Sequence, residues 1–473
     1  MKSIRMKPTQ KKKTAVVNSK MDLLAWLGSL GIGILCCSCS SVSGARDSSP
    51  PVSTGSRPPV SYPAVRFAVM SDLHLYSSDL GTQGAAFQTD LMKDRKLLVE
   101  TPALLDAAIR KINDLPVDFV LITGDLTKDG EALNHKIVAD KLRLLTRSGK
   151  KVFVINGNHD LRNGAAKRYS ATGEQAVPSV TPAEFAAIYR EHGYGAALAR
   201  DPHSMSYVAE PVEGFWILAL DSCRHQDNKP AMAPETTGRF TPETLAWIKQ
   251  RLDQARAEGK AVIGMMHHGV LEHYQGNRKY YPEYIVDNDE SVSRMFAANG
   301  MNLVFTGHFH AQDITSSVQP DRWLYDIETG SLATYPCPYR VITITHQTLT
   351  VHSERIPSIP SHRDGFPKYA RQSSLAASVR MATAALKNYG VSTSDCELVA
   401  PQSAAAYTAH LVGDEVAPTQ VIDTQGVSLW GRLIMSLKKN LLKGWQQDLP
   451  PADNELAVDL KTGRPIRQAP HRH

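Results

Sequence analysis

Five short polar clusters stand out in the 473-residue sequence: Asp72-Leu73-His74, Gly124-Asp125, Gly157-Asn158-His159-Asp160, His267-His268 and Gly307-His308-Phe309-His310. Together they offer carboxylates, imidazoles and one carboxamide. Such a set suits borderline metals such as Zn, Fe, Mn or Co, and suits magnesium, which prefers all-oxygen ligation, less well. In an extended segment residues two apart project to the same side, so Asp72 and His74 are expected to grip one ion, and the spacing recurs at His308 and His310. Each cluster alone has an ordinary reading, as a turn or a hydrogen-bonded histidine. Five in succession, each following an apolar run, read as one site.

The apolar runs are the elements that must position these residues. Strands are expected at Val65–Met70, Phe119–Thr123, Val152–Ile155, Phe215–Leu220, Ala261–Met266, Leu303–Thr306, Trp323–Ile327, Arg340–Thr345 and Thr348–Ser353. Helical patterns alternate with them, as at Pro102–Leu115, Ala132–Ser148 and Pro242–Glu258, the last with Thr241 as N-cap and proline next. This alternation predicts a layered α/β domain over residues 63–357. Ligands of open α/β folds bind beyond the carboxyl ends of the strands, where all five clusters lie. After Pro360 the strand signal stops. Lys368–Tyr389, Ala404–Val412 and Ser428–Gln446 read as helices, giving a small helical unit over 358–450 that needs a surface on which to bury its leucines and Trp430. Residues 451–473 read as a loose tail.

The formal charge of +6 comes from the N-terminus. Residues 1–39 hold seven of the 53 basic residues and one of the 47 acidic ones, so the remainder carries 46 of each. Nothing in that balance points to a nucleic-acid partner. The same segment has a basic stretch ending at Lys20 and an apolar run from Leu23 to Cys37. That run is shorter than the ~20 residues of a membrane span, and it reads as a signal peptide over 1–39. Its end, Cys36-Cys37-Ser38-Cys39, resembles the lipobox of bacterial lipoproteins. The resemblance implies a lipid on Cys39, a Ser/Pro/Gly-rich flexible tether over 40–62, and an exported, membrane-anchored protein. Beyond the signal, Cys223, Cys337 and Cys396 form no disulfide framework and read as small buried thiols.

Asp72/His74, Gly124-Asp125, Gly157-Asn158-His159-Asp160, His267 and Gly307-His308-Phe309-His310 match, in order, the motifs of the calcineurin-like metallophosphoesterases. The resemblance spans about residues 64–355. It is closer still to the class III cyclic-nucleotide phosphodiesterases of the bacterial lipoprotein type, which have an insert like Leu75–Val99 and a C-terminal helical domain. It implies a four-layer α/β/β/α sandwich of two mixed sheets. It places Asp72, His74 and His310 on one metal, Asn158, His267 and His308 on a second, and Asp125 between them. His267 is taken over its neighbour because it directly follows the strand, with His268 as the alternative. The two ions, divalent or trivalent Fe, Mn, Zn or Co, would activate a water and clamp the phosphoryl oxygens. His159 would donate to the phosphate or leaving oxygen, with Asp160 orienting its imidazole or serving only as a turn acid.

The expected function is therefore a dinuclear-metal phosphodiesterase for a small phosphodiester, first of all a 3′,5′-cyclic nucleotide. A phosphomonoesterase or nucleotidase is the rival within enzymes, and a non-catalytic binding protein the rival outside them. The second motif lacks the Asp-Arg-Gly run of protein phosphatases, which speaks against a phosphoprotein substrate. The stretch His273–Tyr281, following the fourth cluster, offers aromatics for a base and Arg278 for a phosphate, or else an ordinary solvated loop.

Overall fold

Long β-branched and aromatic runs with little polar interruption, such as Phe215–Leu220 and Ala261–Met266, belong to strands covered on both faces. The structure, a computed structural model that describes residues 61–466, pairs them into two seven-stranded mixed sheets. In chain order the first sheet holds β1 (Val65–Met70), β2 (Phe119–Ile122), β3 (Lys151–Val154), β13 (Pro338–Thr345), β14 (Thr348–Arg355), β15 (Glu455–Asp459) and β16 (Arg464–Pro465). The second holds β6 (Ala199–Arg200), β7 (Tyr207–Val212), β8 (Phe215–Leu220), β9 (Ala261–Met266), β10 (Leu303–Thr306), β11 (Asp313–Val318) and β12 (Trp323–Glu328). A separate hairpin joins β4 (Lys167–Ser170) to β5 (Gly173–Ala176). β1, β2 and β3 are mutually parallel, as are β8, β9, β10 and β12.

The sheets face one another across a core in which Phe67 stacks on Phe119 at 4.6 Å and meets Phe305 of the other sheet edge-on at 5.3 Å. Helices Thr101–Asn113 and Ala132–Arg147 cover the first sheet; Pro242–Ala257 and Asp289–Ala298 cover the second. The expected four-layer sandwich is therefore the fold. All nine anticipated strands are present within a residue or two. β7 and β11 were not anticipated, because Tyr207–Val212 contains a proline and Asp313–Val318 is mostly polar.

Two expectations are corrected here. The loose tail is not loose up to residue 466, since Glu455–Asp459 adds a strand antiparallel to β14 and buries Leu456, Ala457 and Val458 on the edge. The middle C-terminal helix runs Thr393–Val412, beginning well before Ala404. Pro401 does not break it, because a proline removes only one helical hydrogen bond and packing on Phe366–Asn388 holds the helix. The signal peptide, Cys39 and most of the tether lie outside the described residues, among which no helix is long and apolar enough to cross a membrane.

The third C-terminal helix, Leu429–Gly444, buries Trp445 rather than Trp430, which is half-exposed. Trp445 joins a second core with Tyr274, Tyr281, Phe309 and Tyr407, so the helical unit packs on the loops that follow β9 and β10.

One residue bolts the two sheets together. Arg340 on β13 is fully buried and donates across the interface to the carbonyls of Glu328 on β12 and Asp313 on β11, and to that of Asp453. Met has a similar length but no N–H, so Arg340→Met would leave those buried carbonyls without donors. Urea unfolding should show a loss of at least about 3 kcal/mol; an unchanged midpoint would remove Arg340 from this role.

Candidate metal centre

The five clusters extend β1, β2, β3, β9 and β10, all in the parallel parts of the sheets, so their carboxyl ends open on one crevice. Cross-sheet hydrogen bonds fasten the crevice. Thr123 Oγ1 donates to Ser71 Oγ at 2.6 Å and shares that proton with the Thr306 carbonyl at 3.2 Å, and Ser71 Oγ donates to Asp72 Oδ2. The His308 N–H donates to the same Asp72 oxygen at 3.0 Å. Asp72 Oδ1 is left buried with no donor.

The structure brings the candidate residues into two groups: Asp72, His74 and His310, and Asp125, His267 and His308. His74 Nε2 and His310 Nε2 face one another at 3.1 Å, and His310 Nε2 lies 3.3 Å from Asp72 Oδ1. In the second group His267 Nδ1 donates to the Thr123 carbonyl at 2.8 Å, which turns its Nε2 toward Asn158 Oδ1 at 3.1 Å. His308 Nε2 donates to the Thr236 carbonyl, which leaves its Nδ1 for the cluster. Asp125 Oδ2 stands between the groups, 3.5 Å from His74 Nε2 and 3.4 Å from His267 Nε2, while Oδ1 accepts the His159 N–H. His268 faces away: its Nδ1 accepts from Ser222 Oγ and its Nε2 donates to Thr236 O.

The backbone here is unusual. Asp72, His74, Asp125, His308 and His310 all have positive φ, between 41° and 80°. The Asp72–His74 segment is thus not extended; left-handed residues, costly outside glycine, bring the two side chains together. Two glycines make the close approaches possible. A Cβ on Gly157 would sit 2.1 Å from Asp125 Oδ1, and one on Gly307 would sit 1.9 Å from Ser71 Oγ.

Electrostatics follow from the burial. Burial alone would raise the Asp125 carboxyl, but the imidazoles of His267, His159 and His74 outweigh it and hold Asp125 well below the usual carboxylate range. His74 and His308 are pushed well down, first by burial and then by neighbours, Lys96 for His74 and the imidazoles of His268 and His267 for His308, so both stay neutral with lone pairs available. Burial opposes a charge on His267, yet the Asp125 carboxylate lifts it to about 9. A proton is one way to supply the positive charge these carboxylates demand; a metal cation is the other. The unpartnered Asp72 Oδ1, the facing nitrogens of His74 and His310, and the mixed oxygen and nitrogen donors all fit metal ions.

Of the two readings of Asp160 the structure supports the turn acid, and the residue that orients His159 is one the sequence did not single out. Asp160 does not touch the His159 imidazole. It is fully buried and accepts the N–H groups of Leu126, Thr127 and Gly157, so it braces the second and third motif loops from beneath. Asp129 orients His159 instead, accepting from Nδ1 at 3.1 Å, and is itself paired with Lys128. Its position four residues after Asp125 was the available signal. Arg278 does not face a phosphate, since Asp289 and Glu272 hold it.

A layered α/β sandwich with these motif residues at its strand ends defines a metal-dependent hydrolase of phosphoesters. The chain belongs to the calcineurin-like phosphoesterase family, whose profile matches residues 65–312. That family works with a dinuclear metal centre. No curated protein sequence matches. Among solved structures, a dimetal phosphatase from Danio rerio is 15% identical, with 63% of this chain and 97% of that one covered and a TM-score of 0.44. A 5′-nucleotidase precursor from Thermus thermophilus is 12% identical, with 67% and 58% covered and a TM-score of 0.34. The sulfate thiohydrolase SoxB of the same organism is 14% identical, with 67% and 61% covered and a TM-score of 0.31.

Behind Asp160, His135 is buried neutral: Nε2 donates to the Asp160 carbonyl and Nδ1 accepts from Tyr189 Oη. Burial depresses it to about 4. The unfolded chain takes this proton near 6.5, so stability is present above that value and falls as the pH drops toward 4. Between pH 7 and pH 5, His135→Gln should lose roughly 2 kcal/mol less than the parent in urea melts. Equal losses in the two proteins would refute the assignment.

Proposed function

We propose that this protein is a dinuclear-metal phosphodiesterase acting on a small phosphodiester, with a 3′,5′-cyclic nucleotide as the first substrate to test. The observation that carries the two-metal reading is the position of Asp125 Oδ2 between the two groups of ligand-type side chains. Asp72, His74 and His310 would hold one ion, Asn158, His267 and His308 the other, with Asp125 shared. Iron, manganese, zinc or cobalt suit these donors. Such a pair supplies a reactive water at neutral pH and offsets the phosphoryl charge.

The protein's own contribution to bond breaking is His159. Asp129 fixes Nδ1, which leaves Nε2 for the substrate, and the side chain is partly open to solvent. Burial disfavours its charge, but Asp125 and Asp129 outweigh that and raise its pKa, so Nε2 can hold a proton near neutrality. A proton at that atom matters most for a leaving oxygen that is a poor anion, as the ribose oxygen of a cyclic nucleotide is.

A monoesterase is the second reading. Lys96, whose Nζ is paired with Asp94 at 3.2 Å, acts electrostatically on His74, His159 and His310, and its positive charge favours the extra charge of a monoester. The N-terminal sequence supports export and anchoring through a lipid on Cys39, a reading tested by mass spectrometry of the native N-terminus.

Turnover of cyclic AMP, bis-p-nitrophenyl phosphate and p-nitrophenyl phosphate by the metal-loaded protein tests the reading. Hydrolysis of the monoester alone would overturn it in favour of the second. Elemental analysis should give about two transition-metal equivalents per chain, and Asp125→Ala should lose both ions and activity together; full activity in that variant would sink the shared-ligand assignment.

His159→Ala should slow cyclic-nucleotide hydrolysis by about 10²–10⁴-fold with metal content unchanged, and slow the nitrophenyl diester much less. Asp129→Asn should follow the same pattern with a loss of about 10–100-fold, the range of a mutated supporting residue. Equal losses on both substrates would assign His159 to general charge stabilisation instead.

A further inference from the structure

The helix Leu429–Gly444 has two apolar faces. Ile434, Met435, Leu441 and Leu442 are buried in the core that clamps Phe309. Leu429, Leu433 and Leu437, at intervals of four, form with Trp430 a second row that faces away from that core. Leu429 is 86% exposed and the other three are half-exposed. The Trp430 indole N–H donates to the Tyr389 carbonyl, so what its ring still presents is apolar. One exposed leucine is ordinary on a protein surface, but a row along one helix is not.

Positive charge accompanies the row. Arg432, Lys439 and Lys443, at intervals of seven and four, are exposed along one flank, and the 16-residue helix contains no acid. None of the three forms an ion pair among the described residues; Arg432 spends only its Nε, on the Val427 carbonyl. Lys438 belongs to the inner face, with Nζ 5.0 Å from the centre of the Tyr389 ring. Asp395, at the helix start, is committed to the N–H and hydroxyl of Ser428.

We propose that this face lies on an anionic lipid surface, with Leu429, Trp430, Leu433 and Leu437 entering between headgroups and Arg432, Lys439 and Lys443 meeting their phosphates. Leucine and tryptophan on one side and a basic flank on the other are the make-up of a helix lying in a membrane interface, and tryptophan favours that boundary. A second copy of the chain fits less well, because a symmetric contact would set this helix against itself and offer the basic flank no acid. A protein groove also fits less well: four apolar side chains are few beside the roughly 20–30 residues a side of a stable complex, whereas lipid has no fixed shape to match. This contact is separate from the lipid on Cys39 proposed above. A lipid on one residue sets no orientation; a helix lying in the interface does.

Vesicle co-sedimentation of the metal-loaded full-length chain carrying Cys39→Ser, which removes the acylation site, tests this. Phosphatidylglycerol vesicles should bind the protein. Phosphatidylcholine vesicles should bind it at least about tenfold more weakly, as should phosphatidylglycerol at about 0.5 M salt. Leu433→Ser with Leu437→Ser, both at exposed positions, should weaken binding at least about tenfold and leave the urea midpoint unchanged. Arg432→Gln with Lys439→Gln and Lys443→Gln should abolish the preference for the anionic lipid. No binding by the parent would overturn the proposal, as would affinity undiminished in the leucine variant or a lipid preference unchanged in the basic one. A dimer formed without vesicles and lost in the leucine variant would overturn it in favour of a second copy. Because the chain lacks Cys39, each of these negative results leaves the acylation reading untouched.

Discussion

Desolvation of polar groups is the constraint on which this structure depends. Asp72, His74, Asp125, Asn158, His267 and His308 are each at most 5% exposed, yet they converge in one crevice with few protons to share. Buried polar groups are stable only when something fixes and satisfies each of them. The fold does so with a donor or acceptor behind nearly every one: Ser71 and the His308 N–H behind Asp72, the Thr123 carbonyl behind His267, and the Thr236 carbonyl behind His308. Each imidazole so held has one nitrogen committed and the other presented, the arrangement a metal-binding histidine needs.

That requirement propagates outward. Two parallel strand sets must end at the same level, so the two sheets must be registered against one another as well as packed. Phe67, Phe119 and Phe305 fill the space between them, and Arg340 links their polar edges. The left-handed residues at the strand ends add strain that an isolated loop would relax. The helical unit provides further cover. Phe309, flanked by His308 and His310, points into the core formed by Tyr274, Tyr281, Tyr407 and Trp445, so the loop carrying two of the imidazoles is clamped by its intervening residue.

Much of this was legible beforehand. Buried parallel strands are nearly continuous apolar runs, so β1, β8, β9 and β10 could be bounded closely from residue type alone, and the polar clusters that follow them named the crevice. The polar edge strand β11 and the short strand β15 gave no such signal, because their stability comes from a neighbour rather than from their own pattern. The sequence pattern marks only the later part of the helix Thr393–Val412 for the same kind of reason: Pro401 disfavours a helix locally, and the packing that overrides it is not local.

The sequence by itself determined which residues could do the chemistry and that they lay at strand ends, since ligand type and hydrophobic period are properties of short segments. It could not decide between His267 and His268, because both follow the same strand and only the partners Ser222 and Thr236 turn one of them away. Nor could it show that Asp129, and not Asp160, supports His159. That choice depends on where two loops from different strands cross, and hydrogen bonds between distant segments exist only once the sheets have closed.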